Sequence, residues 1–373
     1  MKRLSRWPVE VCTLVDVTLR KSRWRFKSVP RRFIARGGFV GALTVVGALG
    51  AATRVEGAQT FTGSAHSGVV TPRGITAQGK YVWISDIGNS GRGAKVVRLD
   101  ASTGATRDAS SPFISLPFDV VASRRYAWVM NNTLGKPQQW SLLRINASTL
   151  AVVRVQLPTA APDSLGYVGD PILLAGHYVW IPCDHGIMRV NTSTLATTKI
   201  TSPLIFGTPM NVVADSRYLW MNPPGTAGFD QKFLVRVSVD TGAVTKESFP
   251  GLGFAYPIGD DGTNVWLMDK KGIQRVNVTN DRVMTIALPK EAQISIPSTG
   301  PSAVANGAIY FCADATGRPR SGLVRIGITS GLATVVSSAQ FDFPNDVTAA
   351  NGIVWVVNTY GGTVHHPILV RTS

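Results

Sequence analysis

From Gln59 onward, short runs of Val, Ile, Leu and aromatic residues alternate with turns rich in Gly, Asn, Asp and Ser. Apolar or alternating runs bounded by such turns predict β-strands, and no stretch of length keeps a helical period. The runs recur as a phrase: an aromatic or β-branched pair, Trp, two apolar residues and a polar one. Its copies are YVWISD (81–86), YAWVMN (126–131), YVWIPC (178–183), YLWMNP (218–223), NVWLMD (264–269), IYFCAD (309–314) and IVWVVN (353–358). Trp83, Trp128, Trp180, Trp220, Trp266 and Trp355 share one column, with Phe311 expected to replace Trp in the sixth copy. A second phrase follows each copy and carries Arg98, Arg144, Arg189, Arg236, Arg275, Arg325 or Arg371, most often ahead of an Asn/Asp-x-Ser/Thr turn.

The copies are 45, 52, 40, 46, 45 and 44 residues apart. Four short strands per ~45 residues describe a propeller blade, whereas a solenoid of the same period leaves its end sheets open. The expectation is an all-β, seven-bladed β-propeller with four-stranded blades over 59–373. The last copy stops at Arg371-Thr372-Ser373, after its third strand. The stretch 59–64 is therefore expected to supply the missing outer strand and cover that edge. A large aromatic at one position per blade packs between sheets. The flanked Arg extends its stem along a sheet while its head finds an acceptor. Both columns read as architecture.

Charge changes the picture only when it is divided by position. The 373 residues carry a net +16, but residues 1–58 hold 12 Lys/Arg against 3 Asp/Glu. The other 315 hold 26 against 19, so the folded part carries +7 and gives no reason to expect nucleic acid. The basic stretch feeds an uncharged run from Gly37 to Thr53, the pattern of an export signal over 1–58. Cleavage is expected after Ala52 or Gly57, with an uncleaved anchor as the alternative. Arg31-Arg32 raises twin-arginine export, and translation starting at Val29 would shorten an otherwise long basic segment. The expected address is secreted, periplasmic or cell-surface, with membrane contact only through an uncleaved leader.

Of 3 Cys, Cys12 lies in the leader, and Cys183 and Cys312 fall in distant copies, too far apart for a disulfide. No Gly-x-Ser-x-Gly, His-Glu-x-x-His, phosphate-cradling Gly-Lys-Ser/Thr or Cys-x-x-Cys occurs. In a propeller, the residues three beyond the Trp column and those leading into the innermost strands share one face near the channel. These are Asp86, Asn131, Cys183, Pro223, Asp269, Asp314 and Asn358, and Asp119, Asp170, Asn211, Tyr256, Ser302, Asn345 and Asp346. Asp and Asn form turns at such places. They would equally make a polar funnel for a cation, sugar or amine, and their oxygens suit Mg²⁺ or Ca²⁺. Cys183-Asp184-His185 could hold zinc or activate a nucleophile, which makes Asp184 and His185 the catalytic candidates.

The run Pro72-x-Gly74-Ile75, Gly79-x-x-x-Trp83 and Val97-Arg98-Leu99-Asp100-x-x-Thr103-Gly104 resembles the bacterial propellers that include the streptogramin (virginiamycin B) lyases and the YVTN-type repeats. In weaker form it recurs through 69–373. The resemblance implies a seven-bladed ring. Its lyase branch implies catalytic His and Glu with a divalent ion, opening a macrocyclic lactone by elimination. The five His (His66, His177, His185, His365, His366) form no paired Glu-x-His arrangement, so no catalytic residue is carried over. The expected function is a ligand-binding or protein-interaction module for a small ligand, carbohydrate or protein. The alternative is a lyase-like or hydrolytic enzyme using a metal on the same face.

Overall fold

The computed structural model describes residues 61–64, 69–89, 91–133, 140–158, 171–209, 211–222, 233–253, 255–268, 272–288, 302–313, 322–336, 344–358 and 368–372. The leader and its cleavage points lie outside them. Among the described residues no helix is long and apolar enough to cross a membrane.

The strands pair into seven four-stranded antiparallel sheets. Six are continuous blades of four consecutive strands, numbered here one to six and spanning 72–109, 116–155, 173–200, 213–248, 256–287 and 303–336. The remaining sheet is composite: Pro344–Ala350, Ile353–Asn358 and Ile368–Thr372 pair in order, and Phe61–Ser64 from the other end of the chain adds the fourth strand. Phe61 lies opposite Thr372 and Ser64 opposite Leu369. A minimal two-strand bridge, Asn89 to Arg92, stands outside the sheets. The expectation of seven like units is thus corrected to six continuous blades, one sheet built from two distant segments, and this extra bridge.

First strands of neighbouring blades lie side by side, 72–78 touching both 116–122 and 344–350, so they line the axis. Each column aromatic then faces the next blade. Trp83 packs on blade two, Trp128 on three, Trp180 on four, Trp220 on five and Trp266 on six. Trp355 of the composite sheet packs on blade one, which closes the circuit. An indole buries roughly 150–250 Å², so each interface is built around one large apolar wedge.

The sixth copy departs from its expected alignment. Tyr310 lies opposite Arg325, as Trp83 lies opposite Arg98 and Trp266 opposite Arg275. Tyr310 therefore takes the Trp place and packs on the composite sheet, while Phe311 faces back toward blade five. A strand has a period of two, so a one-residue slip exchanges the faces.

The Arg column joins the blades by a repeated device. The guanidinium of Arg98 sits 4.3 Å from the Tyr81 ring, that of Arg189 4.5 Å from Tyr178, and that of Arg236 4.6 Å from Tyr218. Each stem lies on its own blade while the head reaches forward. Arg98 donates to the Ala147 carbonyl of blade two, Arg189 to the Asp240 carbonyl of blade four at 3.3 Å, and Arg275 to the Ile328 carbonyl of blade six. The acceptors lie in the turns after the third strands. The turn holding Ala147 is shaped by the Asn that opens it: Asn146 Oδ1 accepts from the amides of Ser148 at 2.8 Å and Thr149 at 3.0 Å.

Candidate functional site

The face where first strands begin carries the predicted polar residues, and local backbone geometry explains their direction. Register shifts fall between Pro72 and Ile75, Pro117 and Val120, and Pro344 and Asp346. A bulge bends its strand and re-aims a side chain. Gly74, Asp119, Asn211 and Asp346 each stand two residues before the partner of a column Trp (Thr76, Val121, Val213 and Thr348). They are therefore equivalent positions on blades one, two and four and on the composite sheet.

Asp119 and Asp346 act alike. Asp346 Oδ2 accepts from the Ile75 amide of blade one at 2.8 Å, and Asp119 Oδ2 accepts from the Ile172 amide beside blade three at 2.6 Å. Their Oδ1 atoms accept from Val347 and Val120, both at short range. Blade one lies between these two carboxylates. A Cβ on Gly74 would stand 2.8 Å from Asp119 Oδ1, 2.9 Å from its Cα and 3.0 Å from the Phe118 carbonyl. Ser85 fixes the gap by donating to the Phe118 carbonyl at 2.7 Å while accepting from the Gly74 amide at 2.8 Å. Gly74→Ala is expected to cost about 1–3 kcal/mol in urea unfolding, because two of the three atoms in the way belong to the backbone and cannot swing aside.

Burial pushes the Asp119 carboxyl up to about 7, against the pull of the Ile172 and Val120 amides. Asp346 is driven well above the usual carboxylate range by burial and then by the nearby Asp119 charge. The Asp119 charge thus disfavours ionisation of Asp346, as a like charge nearby does.

The other predicted residues divide. Asp86 is buried and its oxygens accept from the amides of Val70 at 2.9 Å, Thr71 at 2.7 Å and Gly88 at 3.0 Å. Asn131 similarly accepts from Ser115 at 2.9 Å and donates to the Phe113 carbonyl at 3.1 Å. Both staple the segment arriving from the preceding sheet, so most of their polarity is used within the fold. Asn211 is buried, left-handed at φ 54°, and its Oδ1 finds no partner among the described residues. Asp170, Asp269, Asp314 and Pro223 lie outside the described residues. Asn358 and Asn345 are placed only by their backbone in the composite sheet.

Cys183, Asp184 and His185 diverge. Cys183 is fully buried between blades two and three, and burial raises its thiol pKa, which disfavours the nucleophilic thiolate. Asp184 and His185 form the tight turn beyond it, with His185 left-handed at φ 52°. Their side chains are exposed, 3.6 Å apart, and His185 Nδ1 accepts from the Gly207 amide at 3.2 Å. Among the described residues no group of three or more His, Cys, Asp or Glu is placed to hold a metal ion.

Three residues escaped the polar-column reasoning. Trp140 tilts against Phe118, ring centroids 5.4 Å apart, and both remain partly exposed. Trp140 lies directly opposite Asn132 in the sheet, so the two share a face. Asn132 is 3% exposed, and its Oδ1 has no partner among the described residues. The signal was available: Trp7 and Trp24 fall in the leader and six Trp fill the column, leaving Trp140 as the ninth and unexplained.

No protein-family model and no curated protein matches the chain. Solved structures do. The chain is similar to hydrazine synthase from Kuenenia stuttgartiensis at 12% identity, TM-score 0.57, covering 81% of this chain and 96% of that one. It is also similar to a protein of unknown function from Bacteroides thetaiotaomicron at 14% identity, TM-score 0.50, covering 84% and 72%. A puromycin hydrolase matches at 14% identity, TM-score 0.51, over 77% of this chain and 50% of that one. At these identities the likeness is one of fold alone. The chain has the β-propeller fold, and a propeller of this kind is consistent with a ligand- or protein-binding surface in general. The resemblance to the streptogramin lyases and YVTN-type repeats is withdrawn, since nothing at the level of family supports it.

Proposed function

We propose that this propeller is a binding module outside the cytoplasm, receiving a small ligand beside its axis at the junction of blades two and three. The observation that carries the reading is the Phe118–Trp140 pair. Every other Trp of the described blades is a buried wedge between sheets, whereas this one is partly exposed, as is the ring beside it. A partly open aromatic pair beside convergent polar groups is a common form of ligand site. The basic leader supports the address, because its pattern is that of an export signal.

The test is a thermal-shift and tryptophan-fluorescence screen of the purified chain against small amines, saccharides and organic acids. Trp140→Ala is the site variant, and Lys199→Ala, on an outer strand, is the control. Hits that vanish in Trp140→Ala and persist in Lys199→Ala are the expected outcome. Hits of equal strength in both variants would place binding elsewhere and overturn the reading.

A further inference from the structure

The chemistry of this junction narrows its ligand, a step that rests on the binding reading above. Asp119 Oδ2 reaches toward blade three through the Ile172 amide, and Trp140 packs against the apolar cluster between the same two blades. Asn132 lies on the Trp140 face with its Oδ1 buried and unpartnered among the described residues. Phe118 adjoins Asp119 within the bulge and its ring lies tilted against Trp140. The polar atoms left over here are acceptors. Each Asp119 oxygen takes one amide hydrogen and keeps a further lone pair, and the Asn132 oxygen keeps both.

We propose that the junction binds an organic ammonium ion carrying an apolar body, with its N–H groups toward Asp119 and Asn132 and its body on Phe118 and Trp140. Three properties select this chemistry over a neutral or anionic one. Aromatic faces present negative potential and attract cations. The unspent acceptors call for a donor, and a protonated amine offers several. A cation also favours the ionised form of Asp119, which faces this junction through the Ile172 amide, since an opposite charge nearby favours an ionised carboxyl. An organic acid would meet like charge instead. A sugar would satisfy the acceptors but gain nothing from the charge of Asp119.

Benzylammonium, benzyl alcohol and methyl glucoside separate the cases when titrated at pH 8 by calorimetry and by tryptophan fluorescence. Benzylammonium is expected to bind at least about tenfold more tightly than benzyl alcohol, the gain assigned to charge. Asp119→Asn should remove that gain and leave benzyl alcohol unchanged. Phe118→Leu should weaken benzylammonium several-fold, and serves also if Asp119→Asn fails to fold by circular dichroism. Equal binding of benzylammonium and benzyl alcohol, or full benzylammonium affinity in Asp119→Asn, would overturn the proposal. Methyl glucoside binding more tightly, in a Trp140-dependent manner, would overturn the ammonium assignment while leaving the binding reading intact. If no probe binds in a Trp140-dependent manner, both readings fall.

Discussion

Trp180→Ala is expected to lower the stability of the propeller by about 3–5 kcal/mol in equilibrium urea unfolding, the cost of emptying a large aromatic site in a core. Trp180 is fully buried and wedged between blades three and four, against Ile205, Val212, Leu219, Met221, Val235 and Val237. Its indole Nε1 donates to the Ala175 carbonyl at 3.2 Å, so truncation also orphans a buried acceptor. The ring further supports Arg189, whose guanidinium lies 5.8 Å from it and reaches the Asp240 carbonyl of blade four. One substitution therefore weakens both the apolar and the polar link between two blades. Trp140→Ala supplies the contrast. It removes a half-exposed ring from outside the column, and a loss below about 1.5 kcal/mol is expected, in keeping with partial burial. Equal losses at the two positions would refute the division of the tryptophans into wedges and a site.

The same division shows what could be read from the chain. The Trp and Arg columns were legible because each is fixed by neighbours a few tens of residues away that recur in every copy. The sixth copy was misaligned because Ile309-Tyr310-Phe311 offers two adjacent aromatics, and residue chemistry alone does not choose between them. Only the partner Arg325 across the sheet sets the register. Asp119 and Asp346 were identified as face residues, but their latching role was hidden. Their acceptor contacts run to residues 53 and 271 positions away, which no local pattern encodes. Asp86 and Asn131 occupy an equally polar column, yet their oxygens are taken by the backbone of the incoming segment. Cys183-Asp184-His185 misled for the opposite reason. Adjacency in sequence is not convergence when a tight turn sends one side chain inward and the next two outward.

Acidification from pH 8 to pH 5 is expected to stabilise this protein, the reverse of ordinary acid denaturation. Asp119 and Asp260 each have a folded-state pKa raised to about 7 from 3.8, and Asp346 is raised well above the usual carboxylate range. Burial is the first cause in all three. The charge of Asp119 adds to it at Asp346, and those of Asp215 and Asp261 at Asp260. A group whose folded pKa lies above its unfolded value binds a proton more readily when folded. Its contribution is complete below pH ~4 and is lost as pH rises through about 7. Asp100 is shifted the other way, chiefly by its hydrogen bonds from Ser102, but its contribution changes only in stronger acid and leaves the window untouched. One pKa unit corresponds to about 1.4 kcal/mol, so Asp119 and Asp260 together are worth several kcal/mol across the window, and Asp346 acts in the same direction. The melting temperature should therefore rise by several degrees between pH 8 and pH 5. Asp119→Asn removes the charge and keeps one acceptor for the Ile172 amide, while giving up the Val120 contact of the other oxygen at every pH. Relative to the unsubstituted protein it should therefore gain stability between pH 5 and pH 8. A melting temperature that falls on acidification, or an Asp119→Asn variant with no such relative gain, would show that these carboxyls are ionised at little cost.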